Sequence, residues 1–190
     1  IRVGELTALQ WKHVNYDRLE LKIEQANSYT SETGSYVKDT KNTHSERIVA
    51  FPSFLLSLFM QHEEDELLKK KALGNKWFYG NSSHAEDFVF TQKNGKMMYV
   101  STPSKWFNKF VKANNLKEIT FHGLRHTNTT VLINEGIDIV SISNSLGHAK
   151  VSTTMDYYAH HIESVERKMA DTFDDILKSN NSKQGLRIVK

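Results

Sequence analysis

At 190 residues, with 38% hydrophobic and 11% aromatic side chains, the chain has one domain's worth of globular composition and is neither disordered nor fibrous. A net charge of +3 permits a basic face for nucleic acid without requiring one, because distribution matters more than the sum. The absence of cysteine excludes a disulfide framework and a Cys-based zinc site and fits the cytoplasm, and no segment reads as a signal peptide or a membrane span.

Arg2 to Gln10 sets Val3, Leu6 and Leu9 at helical spacing, and the opening at Ile1, with no cap and no Met, reads as the start of a fragment. Trp11 to Glu24 alternates, with Leu19, Leu21 and Ile23 on one side and Glu20 and Lys22 on the other, which predicts a half-buried strand. Ser28 to Ser45 is polar and turn-rich and predicts a solvent-facing loop before a second strand, Glu46 to Ala50. After Pro52, the residues Phe54, Leu55, Leu58, Phe59, Leu67 and Leu68 predict an amphipathic helix to about Lys71, with Glu63 to Glu66 as an acidic cluster. A loop from Gly74 to Asp87, a short strand from Phe88 to Thr91 and a turn at Asn94-Gly95 follow. Further helices are expected at about Ser101 to Asn114, Phe121 to Glu135, Asp138 to Leu146, Ser152 to Tyr158 and Ser164 to Lys178, ahead of a polar, flexible tail at 179–190. The fold class is α+β, mainly helical, with a small antiparallel sheet.

The chemistry gathers in the C-terminal half. In His122-Gly-Leu-Arg125-His126, residues three apart share a helix face, which sets an imidazole beside a guanidinium while Leu124 turns inward. That pair suits a phosphodiester: Arg binds two oxygens at once and His moves a proton near neutral pH. Leu146-Gly147-His148 follows, its glycine permitting the tight helix end that aims His148 sideways. Tyr157 and Tyr158 come next, nine and ten residues after His148. A phenol is a poor nucleophile at neutral pH and becomes useful among cations and a proton acceptor.

The succession HGLRH, LGH and Tyr-x-His, together with Arg2-Val-Gly-Glu5-Leu-x-x-Leu-x-Trp11 and with Lys41 followed by Arg47-Ile-Val, resembles the signature of the tyrosine site-specific recombinase (phage-type integrase) family. The resemblance runs from Arg2 to about Lys178 and implies a catalytic domain over 1–178. By that resemblance, Arg2 and Arg125 would clamp the scissile phosphate, His122 would act as base or acid beside the tyrosine, and His148 would donate to a phosphate oxygen. Lys41 would protonate the leaving 5′ oxygen, Glu5 would orient the arginine or histidine network, and Tyr158 would attack phosphorus. Tyr157 is the second choice of nucleophile, because Tyr158-Ala-His160 matches the family's Tyr-x-His; Lys38 is the rival of Lys41. The family is usually built with a separate N-terminal domain and one or two helices before the Arg2 motif. Their absence from this chain implies lost cover for Leu6 or Leu9 and a tendency to self-associate.

The implied function is site-specific recombination or integration through a 3′-phosphotyrosine, without metal, ATP or other cofactor. The implied partners are double-stranded DNA attachment sites, a homotetramer in the synaptic complex and an accessory directionality factor, with no membrane, in a bacterial or phage-encoded cytoplasmic protein. A type IB-like topoisomerase and a non-catalytic DNA-binding module of the same fold are the alternatives. His122 and His126, four apart, also permit a metal reading, but no HExxH pattern or cysteine completes the ligand set. Trp106, Phe107 and Phe110 are expected in the core, Lys105, Lys109 and Lys112 either along a DNA backbone or on a solvated face, and His44 and His62 at the surface.

Overall fold

The structure is a computed structural model that describes residues 1–39, 46–78, 87–148, 150–155, 171, 172, 174, 175 and 178. The chain divides into two units, 1–149 and 150–190. The first opens with a short helix, α1 (Val3–Thr7), followed by a 3-10 turn at Trp11–His13. Gly4 lets α1 lie directly on the backbone beneath it, since a Cβ there would sit 2.8 Å from the carbonyl oxygen of Asn27.

The single strand expected between Trp11 and Glu24 is a hairpin of β1 (Val14–Asn15) and β2 (Glu20–Ile23), with Leu19 at positive φ in the connecting turn. With β5 (Arg47–Ala50) these strands form an antiparallel sheet in the order β1-β2-β5, in which Leu21 faces Val49 and Ile23 faces Arg47. The expected loop from Ser28 corrects to a second hairpin, β3 (Gln25–Thr30) with β4 (Gly34–Asp39), paired from Gln25↔Asp39 to Thr30↔Gly34. Its turn is closed by Gly34 at φ +71. The hairpin is anchored by one buried polar group, Asn27, whose amide donates to the carbonyl of Met98 at 2.8 Å. Lys41 lies between β4 and β5, outside the described residues.

The core is a cluster of Leu9, Leu21, Ile23, Phe51 and Val89, sealed by partly buried neighbours that include Trp11, Val49, Leu55 and Phe59. Leu9, expected to lose cover, is 2% exposed. Helix α2 (Phe54–Leu73) meets this core through Leu55 and Phe59, the latter tilted on Phe51 at 5.2 Å. Its inward stripe then continues with polar groups that have found partners. His62 lies against Trp11 and Phe90 and bonds the carbonyl of Val89, while Glu66 accepts from Thr91. Phe54, Leu58, Leu67 and Leu68 are consequently exposed, contrary to the apolar stripe expected there.

Helices α3 (Ser101–Ala113), α4 (Phe121–Asn134) and α5 (Ile139–Leu146) lie within a residue or two of their expected bounds. Two carry side-chain caps: Thr120 accepts from the Gly123 amide and Asp138 from the Ser141 amide. Phe107 meets Phe121 edge-on and joins α3 to α4. Trp106 and Phe110 instead stack on each other at the surface, 61% and 41% exposed, which corrects their assignment to the core. In the second unit, α6 (Ser152–Met155) and residues 171, 172, 174, 175 and 178 are helical. Among the described residues, no helix is long and apolar enough to cross a membrane.

The sheet makes the first test direct. Ile23 is 2% exposed and Ile48, on the strand beside it, is 60% exposed. Ile23→Ala is expected to cost about 2–5 kcal/mol in urea denaturation and Ile48→Ala less than about 0.5 kcal/mol.

Candidate active site

Glu5 is the organising group. It sits on α1, one turn after Arg2, and is 3% exposed. Each carboxylate oxygen accepts two hydrogen bonds from arginine. Oε1 receives Arg2 Nη1 at 2.9 Å and Arg47 Nη1 at 3.1 Å; Oε2 receives the Arg2 backbone amide and Arg47 Nη2, both at 2.7 Å. Burial alone would raise the Glu5 pKa, but the bonds from Arg47 and Arg2 outweigh it and hold the carboxyl at about 2, against an ordinary 4.5.

The second half of the site is the C-terminal end of α5. Gly147 ends that helix at φ +68, in the left-handed region, and the His148 amide returns to the carbonyl of Ser143 at 3.1 Å. The three carbonyls before His148 each receive a guanidinium from a different element. Arg47 Nε, from β5, reaches Ser145 at 2.8 Å; Arg125 Nη2, from α4, reaches Leu146 at 2.5 Å; Arg2 Nη2, from the start of α1, reaches Gly147 at 2.8 Å. A helix terminus leaves its last carbonyls unpaired and carries negative partial charge, so cations are favoured there twice over.

Arg125 is 8% exposed, which corrects the expectation that Leu124 turns inward: Leu124 is 40% exposed. The inward face of α4 belongs instead to Arg125 and Thr129, one turn apart, and Thr129 bonds the Arg125 carbonyl. Arg125 Nη2 also lies 3.0 Å from His148 Nε2. A guanidinium only donates, so Nε2 accepts and the neutral ring carries its proton on Nδ1. Burial, then Arg125 and Arg2, lower the His148 pKa and favour that neutral form. The other nitrogen, Arg125 Nη1, is buried with no hydrogen-bond partner among the described residues. Burial, then Arg2, lower the Arg125 pKa to about 10, still charged at neutral pH.

His122 is exposed on the same helix, its ring edge-on to His126 at 4.9 Å. Burial, then His126, Arg125 and Arg2, lower its pKa. The structure therefore brings together Arg2, Glu5, Arg125 and His148, with His122 within reach of the two arginine charges. Lys41, Tyr157 and Tyr158 lie outside the described residues; Lys38, the rival of Lys41, is exposed on β4. Among the described residues no group of three His, Cys, Asp or Glu gathers as a metal site.

Sequence reasoning missed the role of Arg47. It reads there as a basic residue after Lys41, yet its side chain is 7% exposed and joins both halves of the site. The available signal was register: Arg47 faces Ile23, one of the most buried residues of the sheet.

Because its pKa is lower in the fold than in the open chain, Glu5 stabilises the fold above about pH 4.5 and gives this up as pH falls towards 2. Urea midpoints measured from pH 5 to pH 2.5 are expected to fall for the wild type and to fall less steeply for Glu5→Gln. Identical slopes would contradict the pairing.

The model of the phage integrase family matches residues 1–164. The ICEBs1 integrase of Bacillus subtilis (strain 168) is 33% identical over 93% of this chain and 46% of its own length. A XerC-like tyrosine recombinase of Caldanaerobacter subterraneus is 26% identical over 93% and 46%. Among solved structures, the Tn1549 transposon integrase in complex with transposon right end DNA superposes with TM-score 0.76 at 21% identity, over 90% of this chain and 54% of that one. XerA recombinase does so with TM-score 0.59 at 23% identity, over 84% and 53%. The chain thus spans about half the length of the relatives it matches, and it shares the fold of the matched part of the solved structures. With the arginine cluster, the HGLRH helix and the LGH turn in place and the family model covering most of the sequence, the chain belongs to the phage integrase family of tyrosine recombinases.

Proposed function

We propose that this chain carries out site-specific cleavage and rejoining of double-stranded DNA, in the integration or excision of a mobile element, through a 3′-phosphotyrosine. The observation that carries the reading is the unbalanced charge of the site. Two guanidiniums, Arg2 and Arg47, hold the Glu5 carboxylate, a third, Arg125, stands on the carbonyl of Leu146, and Arg125 Nη1 is buried without a partner among the described residues. A buried donor left unpaired is costly, and a phosphodiester oxygen is the partner that would satisfy it. Among the described residues the site thus carries more positive than negative charge, which suits a transition state in which the phosphodiester's single negative charge grows towards two.

In the proposed reaction the Tyr158 oxygen attacks phosphorus and gives up its proton on the His122 side. The bond from phosphorus to the 5′ oxygen breaks, and Lys41 protonates that oxygen as it leaves. Arg2 and Arg125 hold the non-bridging oxygens. His148 is the proposed hydrogen-bond donor to a phosphate oxygen. Glu5 does not touch the substrate; it sets the direction of Arg2. Rejoining reverses the steps with another strand's 5′ hydroxyl, so the phosphoester bond is conserved and neither ATP nor a metal ion is needed. The relatives are integrases, recombinases and transposases of bacteria and phage, which favours recombination over relaxation by a topoisomerase. We extend the reading to a homotetramer on paired attachment sites in the bacterial cytoplasm, on nucleoid DNA, biased in direction by an accessory factor.

The test is a nicked suicide duplex carrying the attachment site, incubated in EDTA with the protein expressed at the full length of its gene. A covalent protein–DNA adduct is expected from the wild type and none from Tyr158→Phe. An adduct that survives Tyr158→Phe and disappears in Tyr157→Phe would move the nucleophile by one residue. No adduct from a folded protein that binds its site would favour the non-catalytic module.

A further inference from the structure

Arg47 has no contact with the substrate in the reaction proposed above, yet it is the most fully committed side chain in the cluster. Two of its nitrogens lie on the two oxygens of Glu5, at 3.1 and 2.7 Å, and the third donates to the carbonyl of Ser145 at 2.8 Å. Its side chain is 7% exposed, whereas that of Arg2, on the other side of the same carboxylate, is 41% exposed. Only one of these two arginines is open to a ligand. The guanidinium also packs against the LGH turn: a Cβ on Gly147 would fall 2.7 Å from Arg47 Nη1, so a side chain there would have to displace the guanidinium as well as adopt a positive φ.

We infer that Arg47 is a positioning residue of the cleavage site, a rigid brace from β5 that fixes the Arg2 guanidinium through Glu5 and the His148 turn through Ser145 without touching DNA. The inference rests on the function proposed above. Its physical basis is the planar fork of arginine. One guanidinium spans a carboxylate and a carbonyl from two separate segments, which fixes their separation and mutual orientation. A lysine ammonium retains the charge but is a single point on a flexible stem, and cannot hold both partners in one geometry. Glu5, filled on both oxygens, turns towards Arg2 only so long as Arg47 occupies its other side. Catalysis is sensitive to this kind of displacement, since reacting groups must be held near their productive geometry.

The test compares wild type, Arg47→Gln, Arg47→Lys, Glu5→Gln and the Arg47→Gln/Glu5→Gln double variant, each expressed at the full length of its gene. Cleavage of the nicked duplex at saturating protein gives the rate constant, and binding to the uncleaved duplex gives Kd. Arg47→Gln is expected to slow cleavage by on the order of 100-fold while Kd changes by less than about twofold, because the brace aligns groups and holds no DNA. The double variant is expected to be no slower than the slower single variant, because the two residues act as one unit. Arg47→Lys, which keeps the charge beside Glu5 and decides the matter if Arg47→Gln fails to fold, is expected to remain slow. Wild-type cleavage by Arg47→Lys, losses that multiply in the double variant, or a loss confined to Kd would each overturn the inference. If the wild type itself forms no adduct, the proposed function fails, and Arg47 is judged by amide hydrogen exchange at Gly147 and His148. Faster exchange in Arg47→Lys would keep the brace, and unchanged exchange would remove it.

Discussion

A helix that ends inside a protein leaves its last carbonyl oxygens without partners, and in this chain the solution to that problem is also the site. The carbonyls of Ser145, Leu146 and Gly147 close α5 with one guanidinium each, supplied by Arg47, Arg125 and Arg2. Those arginines come from a strand, a helix and the first residues of the chain, which have no other reason to converge. The negative end of α5 and the single carboxylate of Glu5 draw them together, and neither is strong enough to cancel three positive charges. The result, among the described residues, is a site whose own folding requirements leave it cationic.

The constraint reaches through the rest of the first unit. For Glu5 to face Arg47, α1 must lie close on β3, which Gly4 permits by bringing helix and strand backbones together. For Arg47 to point inward, β5 must hold its register against β2, which the core pair Leu21 and Val49 enforces one step along. Slipping that register by one residue would send Arg47 to solvent and bring Ile48 inward. For His148 to leave α5 at the correct angle, Gly147 must take a conformation that other residues resist. The geometry of the arginine cluster therefore depends on the apolar packing of the sheet beneath it.

Much of this was legible in the sequence because the helices announce themselves twice, by apolar spacing and by caps. Thr120 and Asp138 mark the starts of α4 and α5, and Gly147 marks an end. The HGLRH and LGH groups were legible as motifs, and Arg2, Glu5, Arg125 and His148 do come together. The β3–β4 hairpin was not legible, because its residues are largely polar and its two tyrosines, Tyr29 and Tyr36, are 63% and 38% exposed, so no apolar alternation records the pleat. Arg47 was hidden for the opposite reason. In Arg47-Ile-Val-Ala, apolarity nominates Ile48 for the interior, and only long-range pairing with Glu5 and Ser145 makes an arginine the better buried residue. Leu124 and Arg125 exchanged places on the same principle. A buried charge with partners from distant segments cannot be read from local pattern, because its compensation lies elsewhere in the chain.

If the cluster serves the charge of a phosphodiester, as proposed, substrate chemistry can address that charge directly. Cleavage would be measured for wild type and Arg125→Ala on two nicked duplexes, one with an ordinary scissile phosphate and one with a neutral methylphosphonate at the same position. Any general damage from losing Arg125 slows both substrates equally. A loss of about 100- to 1,000-fold is expected on the phosphate and a far smaller one on the methylphosphonate, where there is less charge to stabilise. Equal losses on the two substrates would contradict the proposal and reduce Arg125 to a structural support of the α5 terminus.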